Sequence, residues 1–296
     1  LGITTFNAVA LEKLVDYIDW TPFFQTWELH GKFPNILTDA VVGEEASKLY
    51  DDAKNMLKKI VEEKWLTANG VVGIWPANSI NEEIEIYNAE GTEKIATQHA
   101  LRQQLKKSAK ADNMALSDFI APKDSGIQDY VGGFAVTTGL GIEPYLEQFE
   151  KDHDDYNSIL LKALADRLAE AFAEYLHEVV RKETWGYAKE ESLSNDELIK
   201  EGYKGIRPAP GYPACPDHTE KTTLFKLLDA QKLAGVSLTD SLAMMPASSV
   251  SGWYFAHPKS KYFGVGKITE EQVHDLAQRK GVENEKMERW LSSNML

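Results

Sequence analysis

The sequence has 296 residues and a single cysteine, Cys215. One cysteine cannot form an internal disulfide or a cysteine-rich zinc site, and a free thiol fits a reducing compartment. No apolar run approaches the roughly 20 residues of a membrane-spanning helix, and no signal-like segment opens the chain. We therefore expect a soluble cytoplasmic protein that has no membrane partner.

Basic charge is also scarce, because 32 Lys and Arg residues stand against 46 Asp and Glu residues and the formal net charge is -14. A chain this acidic is a poor partner for the phosphates of nucleic acids. Any anionic ligand must therefore be bound by a local cationic site. Hydrophobic residues make up 43% and charged residues 26%, which is typical of folded globular proteins rather than disordered ones.

Glycine motifs for nucleotide phosphates are poor. The segment 264–268, GVGKI, lacks the upstream glycine and the Ser or Thr of a P-loop, and Gly139-Leu140-Gly141 lacks the third glycine of a dinucleotide-binding turn. A methyltransferase with the usual glycine-rich Rossmann turn is therefore not supported.

Hydrophobic periodicity predicts a mixture of helices and strands. Helical spacing and capping signals predict helices over 44–65, 94–110, 144–183 and 219–234, one starting at Ser194, and one from Thr269 to Gly281. Strands are predicted over 70–80, 82–88 and 129–140, and an aromatic-rich hairpin over 249–268. Because the elements do not alternate steadily and no linker divides the chain, a single α+β domain is expected.

Two Glu-x-x-His pairs are similar to the ligand pairs of carboxylate-bridged di-metal bundles. They are Glu150–His153 and Glu174–His177, which start 24 residues apart along one predicted helix and so lie roughly 36 Å apart. Two pairs at that separation cannot share a metal. We interpret both as parts of a solvated helix face or of a helix cap.

Asp217 and His218 follow Cys215 closely, which raises the possibility of a histidine-activated thiolate. Neighbours in a proline-rich loop need not face one another, and a lone cysteine is often a packing residue. The sequence therefore predicts no catalytic acid–base pair, no protein nucleophile and no metal ligand.

The segment 205–218 is unusual, because prolines at 208, 210, 213 and 216 surround a single arginine, Arg207. Proline fixes φ and removes a backbone donor, so this loop must hold a defined shape. Arginine offers a planar, permanently charged fork for a carboxylate. Two interpretations stay open: Arg207 binds a ligand carboxylate, or it meets an internal acid inside a rigid structural loop.

The ten residues 207–216, RPAPGYPACP, closely resemble the signature of the C-terminal activation domain of cobalamin-dependent methionine synthase. Further segments resemble that family in the expected order: 17–24, 153–157, 162–177 and 249–263. The residues after Leu291 depart from the family's proline-containing tail. The resemblance covers nearly the whole chain, which starts at Leu1 without an initiator methionine. We therefore expect residues 1–296 to be one domain excised from a longer multidomain enzyme.

The resemblance implies an α+β fold with a curved, mostly antiparallel sheet and packed helices, unlike a Rossmann methyltransferase. It implies binding of S-adenosylmethionine, whose methyl group reactivates cobalamin that has become oxidised. The cobalamin is held by a separate domain of the same polypeptide, and the electron comes from flavodoxin or a flavodoxin-like reductase. As part of a 5-methyltetrahydrofolate–homocysteine methyltransferase, the isolated domain is expected to bind its ligand without turnover.

The resemblance also implies a set of ligand-binding residues. Asp19 matches the acid that holds the methionyl amino group, and Arg207 matches the arginine that takes the carboxylate. The other matching positions are Glu201, Tyr212, Tyr262 and Phe263. Two rival functions remain at this point: a docking domain that grips the cobalamin module without binding a ligand, and a free-standing methyltransferase with another acceptor.

Overall fold

The computed structural model describes residues 1–107 and 112–296. The strands are β1 (Gly2–Val9), β2 (Thr67–Ile80), β3 (Glu83–Tyr87), β4 (Lys94–His99), β5 (Asp129–Leu140), β6 (Ser237–Leu238), β7 (Met244–Met245) and β8 (Ser249–Tyr254). The helices are α1 (Glu12–Val15), α2 (Thr21–Thr26), α3 (Gly43–Glu62), α4 (Glu143–Lys151), α5 (Asp155–Val179), α6 (Asn195–Ile199), α7 (Glu220–Leu228), α8 (Ala230–Ala234), α9 (Glu270–Lys280) and α10 (Asn284–Leu291).

The main sheet is organised around β2, whose 14 residues pair along both edges. β5 lies antiparallel on one edge, while β1 and then β3 share the other. β4 pairs with β3 and β8 pairs with β5, so the order is β4-β3-β2-β5-β8. All of these pairs are antiparallel, and the α+β fold without a Rossmann arrangement is confirmed.

Each face of the sheet is covered by a different hydrophobic core, because side chains alternate along a strand. Val72 and Ile74 of β2 belong to the core formed with α3 and α5. Val71 and Trp75 belong to the core formed with α7 and α8. The sheet is therefore buried between two layers, and the segment 205–218 lies on the second face.

Helix α5 is the longest helix and is buried over most of its circumference. Asp154 caps its start with a carboxylate that accepts a hydrogen bond from the backbone N–H of Asn157. The helix then runs for 25 residues into a π-helical turn, Val180–Thr184. Its C-terminal end reaches the loop that carries Arg207, where Glu174 contacts Arg207. This helix thereby positions acidic and histidine side chains at the candidate site.

A small third core lies under the C-terminal helices α9 and α10 and includes Leu101 and Val265. Thr269 is the predicted N-cap of α9 and forms a capping box with Gln272, and Gly281 ends the helix in a left-handed conformation as predicted. Within the described residues, none of the helices has both the length and the apolarity that a membrane crossing requires.

Several local predictions are confirmed, including α3, β2, β3, β5 and the capping box at Ser194. The helix predicted over 94–110 is wrong where it is described, because Lys94–His99 is strand β4; residues 108–110 lie outside the described residues. Over 249–268 only β8 forms a strand, so the second arm of the hairpin is wrong as well. Both errors concern strand pairing, which depends on partners distant in sequence.

Two predicted helices are each divided by a residue with positive φ. His153 (φ 54°) separates α4 from α5, and Asp229 (φ 48°) separates α7 from α8. A left-handed residue cannot continue a right-handed helix, and a polar side chain tolerates that conformation better than most. The long periodic patterns therefore indicated the helical faces correctly but not these breaks.

Candidate functional site

Two adjoining hollows of about 390 and 370 Å³ lie where the loop 205–218 meets α5. They share Glu170, Glu201 and Arg207 as lining residues. The larger hollow is mainly apolar and is lined by Phe134 and by prolines of the loop. The smaller one is acidic. Together they can accommodate a ligand that has one apolar or aromatic part and one charged part.

The structure brings all six predicted site residues onto these two hollows. Tyr212, Tyr262 and Phe263 line the larger hollow, and Asp19 lines the smaller one. Glu201 and Arg207 line both. Residues that are separated by up to 244 positions in the sequence therefore surround one connected space.

Hydrogen bonds at both ends hold the proline-rich loop in place. The backbone N–H of Trp253 in β8 donates to Pro208, and that of Val265 donates to Pro213. Gly211 has φ 93°, and a Cβ at this position would lie 2.2 Å from the His218 ring. Glycine is therefore required here both by conformation and by space. These restraints fix the position of Arg207 before any ligand arrives.

Arg207 forms a two-pronged ion pair with Glu174 at 2.7 and 3.1 Å. Its Nη1 atom also lies 3.0 Å from His177 Nδ1 and 3.2 Å from the hydroxyl of Tyr203. Burial is the largest single effect on the Arg207 guanidinium and lowers its pKa, but Glu174, Tyr203 and Tyr262 together raise that pKa above its ordinary value, so the group stays charged. Of the two sequence interpretations, the pairing with an internal acid is confirmed.

This ion pair leaves one edge of the guanidinium available. Among the residues that the structure describes, Nη1 has two hydrogens for three neighbouring acceptors, whereas Nη2 contacts Glu174 alone. Within residues 1–107 and 112–296, Nε has no hydrogen-bond partner. The Nε and Nη2 hydrogens form a parallel pair that suits a carboxylate. With its side chain 20% exposed to the hollows, Arg207 can hold an internal and an external carboxylate together.

Acidic side chains surround the smaller hollow. Asp19, Glu170, Glu174 and Glu201 line it, with Arg167 and Arg207 as the basic residues. One oxygen of Asp19 accepts a hydrogen bond from the backbone N–H of Thr21, which orients the carboxylate at the start of α2. Such a cluster favours a bound cation such as an ammonium group.

The left-handed conformation of Glu201 (φ 57°) directs a carboxyl group to the boundary between the two hollows. Partial burial raises the pKa of this carboxyl, and Arg207 opposes that rise. The hydroxyl of Tyr262 accepts a hydrogen bond from the backbone N–H of Arg207 at 3.0 Å and lies 2.9 Å from the hydroxyl of Tyr203. Tyr262 thus links the aromatic side of the site to its arginine.

Sequence reasoning missed Glu174, His177 and Tyr203. The interpretation of Glu174–His177 as a solvated face or cap is wrong, because the two residues are 7% and 0% exposed and both contact Arg207. The sequence signal that could have identified them is their position near the end of a helix whose neighbouring residues are mostly apolar. The other pair, Glu150 and His153, is exposed as predicted.

Cys215 is a packing residue in the structure. It is buried within the second core, and burial raises the pKa of its thiol well above the ordinary value, with Glu220 and Asp217 adding to the effect. Asp217 instead pairs with Lys280 at 2.6 Å. A thiolate nucleophile at this position is therefore unfavourable.

One histidine–carboxylate cluster lies away from the hollows, between α9 and α10. His274 Nε2 is 2.6 Å from Glu288 and 3.7 Å from Glu270. The three side chains are partly or fully exposed. Their geometry is that of surface ion pairs, which contribute little to stability.

Comparison with known proteins identifies relatives of the chain. The family model described as "Vitamin B12 dependent methionine synthase, activation domain" matches residues 10–281. A solved structure described as the crystal structure of the MetH reactivation domain bound to AdoHcy is 57% identical in sequence. The alignment covers 100% of this chain and 90% of that chain, with a TM-score of 0.95.

Proposed function

The chain belongs to the family of vitamin B12-dependent methionine synthase activation domains, and from this premise we propose that it binds S-adenosylmethionine in the two joined hollows. The methyl group is then presented to reduced cobalamin on a separate domain of the same polypeptide. The observation that carries this proposal is the free edge of Arg207 beside an acidic hollow, because a methionyl group has one carboxylate and one ammonium group.

Each predicted residue has a role that its position supports. Arg207 takes the carboxylate through Nε and Nη2, and Asp19 takes the ammonium group. Glu201 lies at the boundary, where its charge favours the sulfonium. Tyr212, Tyr262 and Phe263 line the apolar hollow, where aromatic faces suit the adenosyl part and the sulfonium.

The methyl transfer requires only that this chain position its ligand. Reduced cobalamin on the separate domain would supply the electron pair that accepts the methyl group, and the sulfonium–methyl bond would break with its own electron pair left on sulfur, which gives S-adenosylhomocysteine. The sulfonium is already an activated leaving group, so no general base or protein nucleophile is required. Holding the methyl group in line with its acceptor provides the rate gain. This role agrees with a site in which Arg207 and the acids of the smaller hollow are placed to bind charged groups of a ligand.

The partner domain and the electron donor belong to the same proposal. A flavodoxin or flavodoxin-like reductase is acidic in charge, and the net charge of -14 on this chain opposes its approach at long range. Exposed Lys259 and Lys261 lie directly before Tyr262 and Phe263, so they offer local positive charge beside the site. If Lys259→Glu with Lys261→Glu leaves the salt dependence of flavodoxin association unchanged, docking does not use this edge.

Calorimetric titration of the chain with S-adenosylmethionine and with S-adenosylhomocysteine tests the proposal. We expect saturable one-to-one binding of both ligands. Asp19→Asn is expected to weaken S-adenosylmethionine binding about tenfold, because asparagine keeps the hydrogen bond to Thr21 but removes the charge. Asp16→Asn is the matched control on an exposed residue.

The opposite results are equally specific. An absence of heat and of any thermal shift with either ligand would reject the proposal and leave the docking-domain alternative. Methyl transfer to an acceptor without the cobalamin domain would favour a free-standing methyltransferase instead. Equal effects of Asp19→Asn and Asp16→Asn would remove Asp19 from the site.

A further inference from the structure

We propose that Glu174 and His177 are a positioning pair that holds Arg207 with its Nε–Nη2 edge directed at the ligand carboxylate. This inference rests on the proposed function and adds two residues to it. The pair is the second Glu-x-x-His motif of the sequence. Its function is to orient a guanidinium, so its ligand atoms are not available to a metal.

The spacing of the pair places both side chains toward the same partner. Residues three apart on a helix lie on one face. Glu174 Oε1 and Oε2 and His177 Nδ1 all lie within 3.1 Å of the terminal nitrogens of Arg207. Three acceptors on one rigid helix therefore define the plane of the guanidinium as well as its position.

Glu174 uses both of its oxygens on the end of the guanidinium, formed by Nη1 and Nη2. This choice leaves the side edge for another carboxylate. A single point charge could contact the guanidinium from any side, whereas a carboxylate with two hydrogen bonds occupies one defined edge of it. Because Glu174 is only 7% exposed, few water molecules can compete with Arg207 for its carboxylate oxygens. The ion pair is therefore maintained with or without a ligand.

His177 restricts Nη1 further. Its Nδ1 faces Arg207, which can only donate, so Nδ1 is the acceptor and the ring proton is on Nε2. The ring itself is held by Tyr254, stacked at a centroid distance of 5.0 Å, and by Tyr203 at 4.7 Å. Nε2 lies 3.5 Å from the hydroxyl of Tyr187. Two aromatic neighbours and contacts at both ring nitrogens thus fix the orientation of the imidazole.

The test compares S-adenosylmethionine with decarboxylated S-adenosylmethionine, which differs only by the missing carboxylate. The full chain should prefer the first ligand by about tenfold or more, as expected for a charged hydrogen-bonded pair. Glu174→Gln and His177→Phe should weaken binding of S-adenosylmethionine about tenfold and bring the preference close to one. His177→Asn, whose side-chain oxygen can replace Nδ1 as the acceptor, should restore most of the preference.

The control is Glu150→Gln, the same substitution in the exposed Glu-x-x-His pair, and it should leave both affinities unchanged. Equal weakening of both ligands with an unchanged preference would show a merely structural role and overturn the inference. Tighter binding by Glu174→Gln would also overturn it, because Glu174 would then only compete with the ligand for charge. If the unsubstituted chain binds neither ligand, the proposed function itself fails.

Thermal unfolding of each variant accompanies the titrations. If His177→Phe does not fold, Glu174→Gln still decides the outcome, because glutamine has the same shape as glutamate and retains one acceptor. An unchanged preference in folded Glu174→Gln then rejects the positioning role.

Discussion

Two arginines contact the same tyrosine ring, and one is fully buried whereas the other is partly exposed. Arg181 Cζ lies 4.5 Å from the centre of the Tyr203 ring, and Arg207 Cζ lies 5.4 Å from it. Arg181 is fully buried and pairs with Glu191 through Nε at 2.7 Å. Arg207 pairs through Nη1 and Nη2, and its Nε is free among the described residues.

The difference supports our proposal that Arg207 is a ligand-binding cation, whereas Arg181 is a structural one. In the described part of the chain, the Nη1 and Nη2 atoms of Arg181 are buried without hydrogen-bond partners, and Arg181 lines neither hollow. Its charge is compensated inside the protein by Glu191 and the Tyr203 ring. Arg207 has a similar internal acid but also lines both hollows. We infer that an internal ion pair does not by itself make an arginine structural. What distinguishes Arg207 is that the unpaired side of its guanidinium faces the hollows.

The largest effect is expected for Arg181→Met. This change leaves the Glu191 carboxylate, whose side chain is 10% exposed, without its cation, and breaking a buried pair costs about 3–5 kcal/mol of unfolding free energy. Urea unfolding measures the loss, with exposed Arg289→Met as the control, which should lose less than about 0.5 kcal/mol. A loss as small as that of the control would contradict the structural role of Arg181.

Arg207→Lys should affect binding more than stability. Lysine keeps a positive charge for Glu174, but it cannot present two separate edges to two carboxylates. We expect S-adenosylhomocysteine binding to weaken by about 2 kcal/mol, or roughly thirtyfold. Calorimetry measures the change, with Arg289→Lys as the matched control. Unchanged affinity would mean that charge alone at this position is sufficient.

The sequence alone predicted elements whose signals are local. The periodicity of α3 and α5, the alternation in β3, the capping box at Ser194 and the N-cap at Thr269 all depend on residues within a few positions of one another. Strand β4 was missed because its structure depends on pairing with β3, and periodicity does not report a pairing partner.

The same distinction applies to the site. Arg207 was predicted because four prolines mark its loop within the sequence itself, and Asp19 was predicted because its segment resembles the family; both line the hollows. Glu174 was missed because its partner is 33 residues away and contacts it only in the folded chain. The pair Glu150–His153 has the same local pattern and a different environment, so no property of the motif by itself distinguishes the two.

The imidazole next to Arg207 should make stability depend on pH. Burial lowers the pKa of His177 well below its ordinary value, and the charges of Arg207 and Arg181 lower it further. The native chain therefore keeps His177 neutral while the unfolded chain binds a proton below about pH 6.5. Stability is consequently lost as the pH falls, by about 1.4 kcal/mol for this group between pH 7.5 and 5.5.

Urea unfolding of the unsubstituted chain and of His177→Asn at these two pH values isolates this contribution. The variant should lose about 1.4 kcal/mol less on acidification, because the other titrating groups are the same in both chains. An identical loss in both chains would mean that His177 is protonated in the native state, which would require Arg207 to move away from Nδ1.

The smallest effect is expected for Tyr203→Phe, which tests whether the ring or the hydroxyl connects the two arginines. Phenylalanine keeps the ring beside Arg181 and Arg207 but removes the oxygen that accepts from Nη1 and contacts Tyr262. We expect S-adenosylhomocysteine binding to weaken by about 1 kcal/mol, with a similar or smaller loss of stability. Tyr145→Phe, in a ring that stacks on Trp65 away from the hollows, is the control for both measurements. A stability loss near that of Arg181→Met would show that the Tyr203 hydroxyl also stabilises the buried Arg181. The proposed distinction between Arg181 as a structural cation and Arg207 as a binding cation would then be wrong.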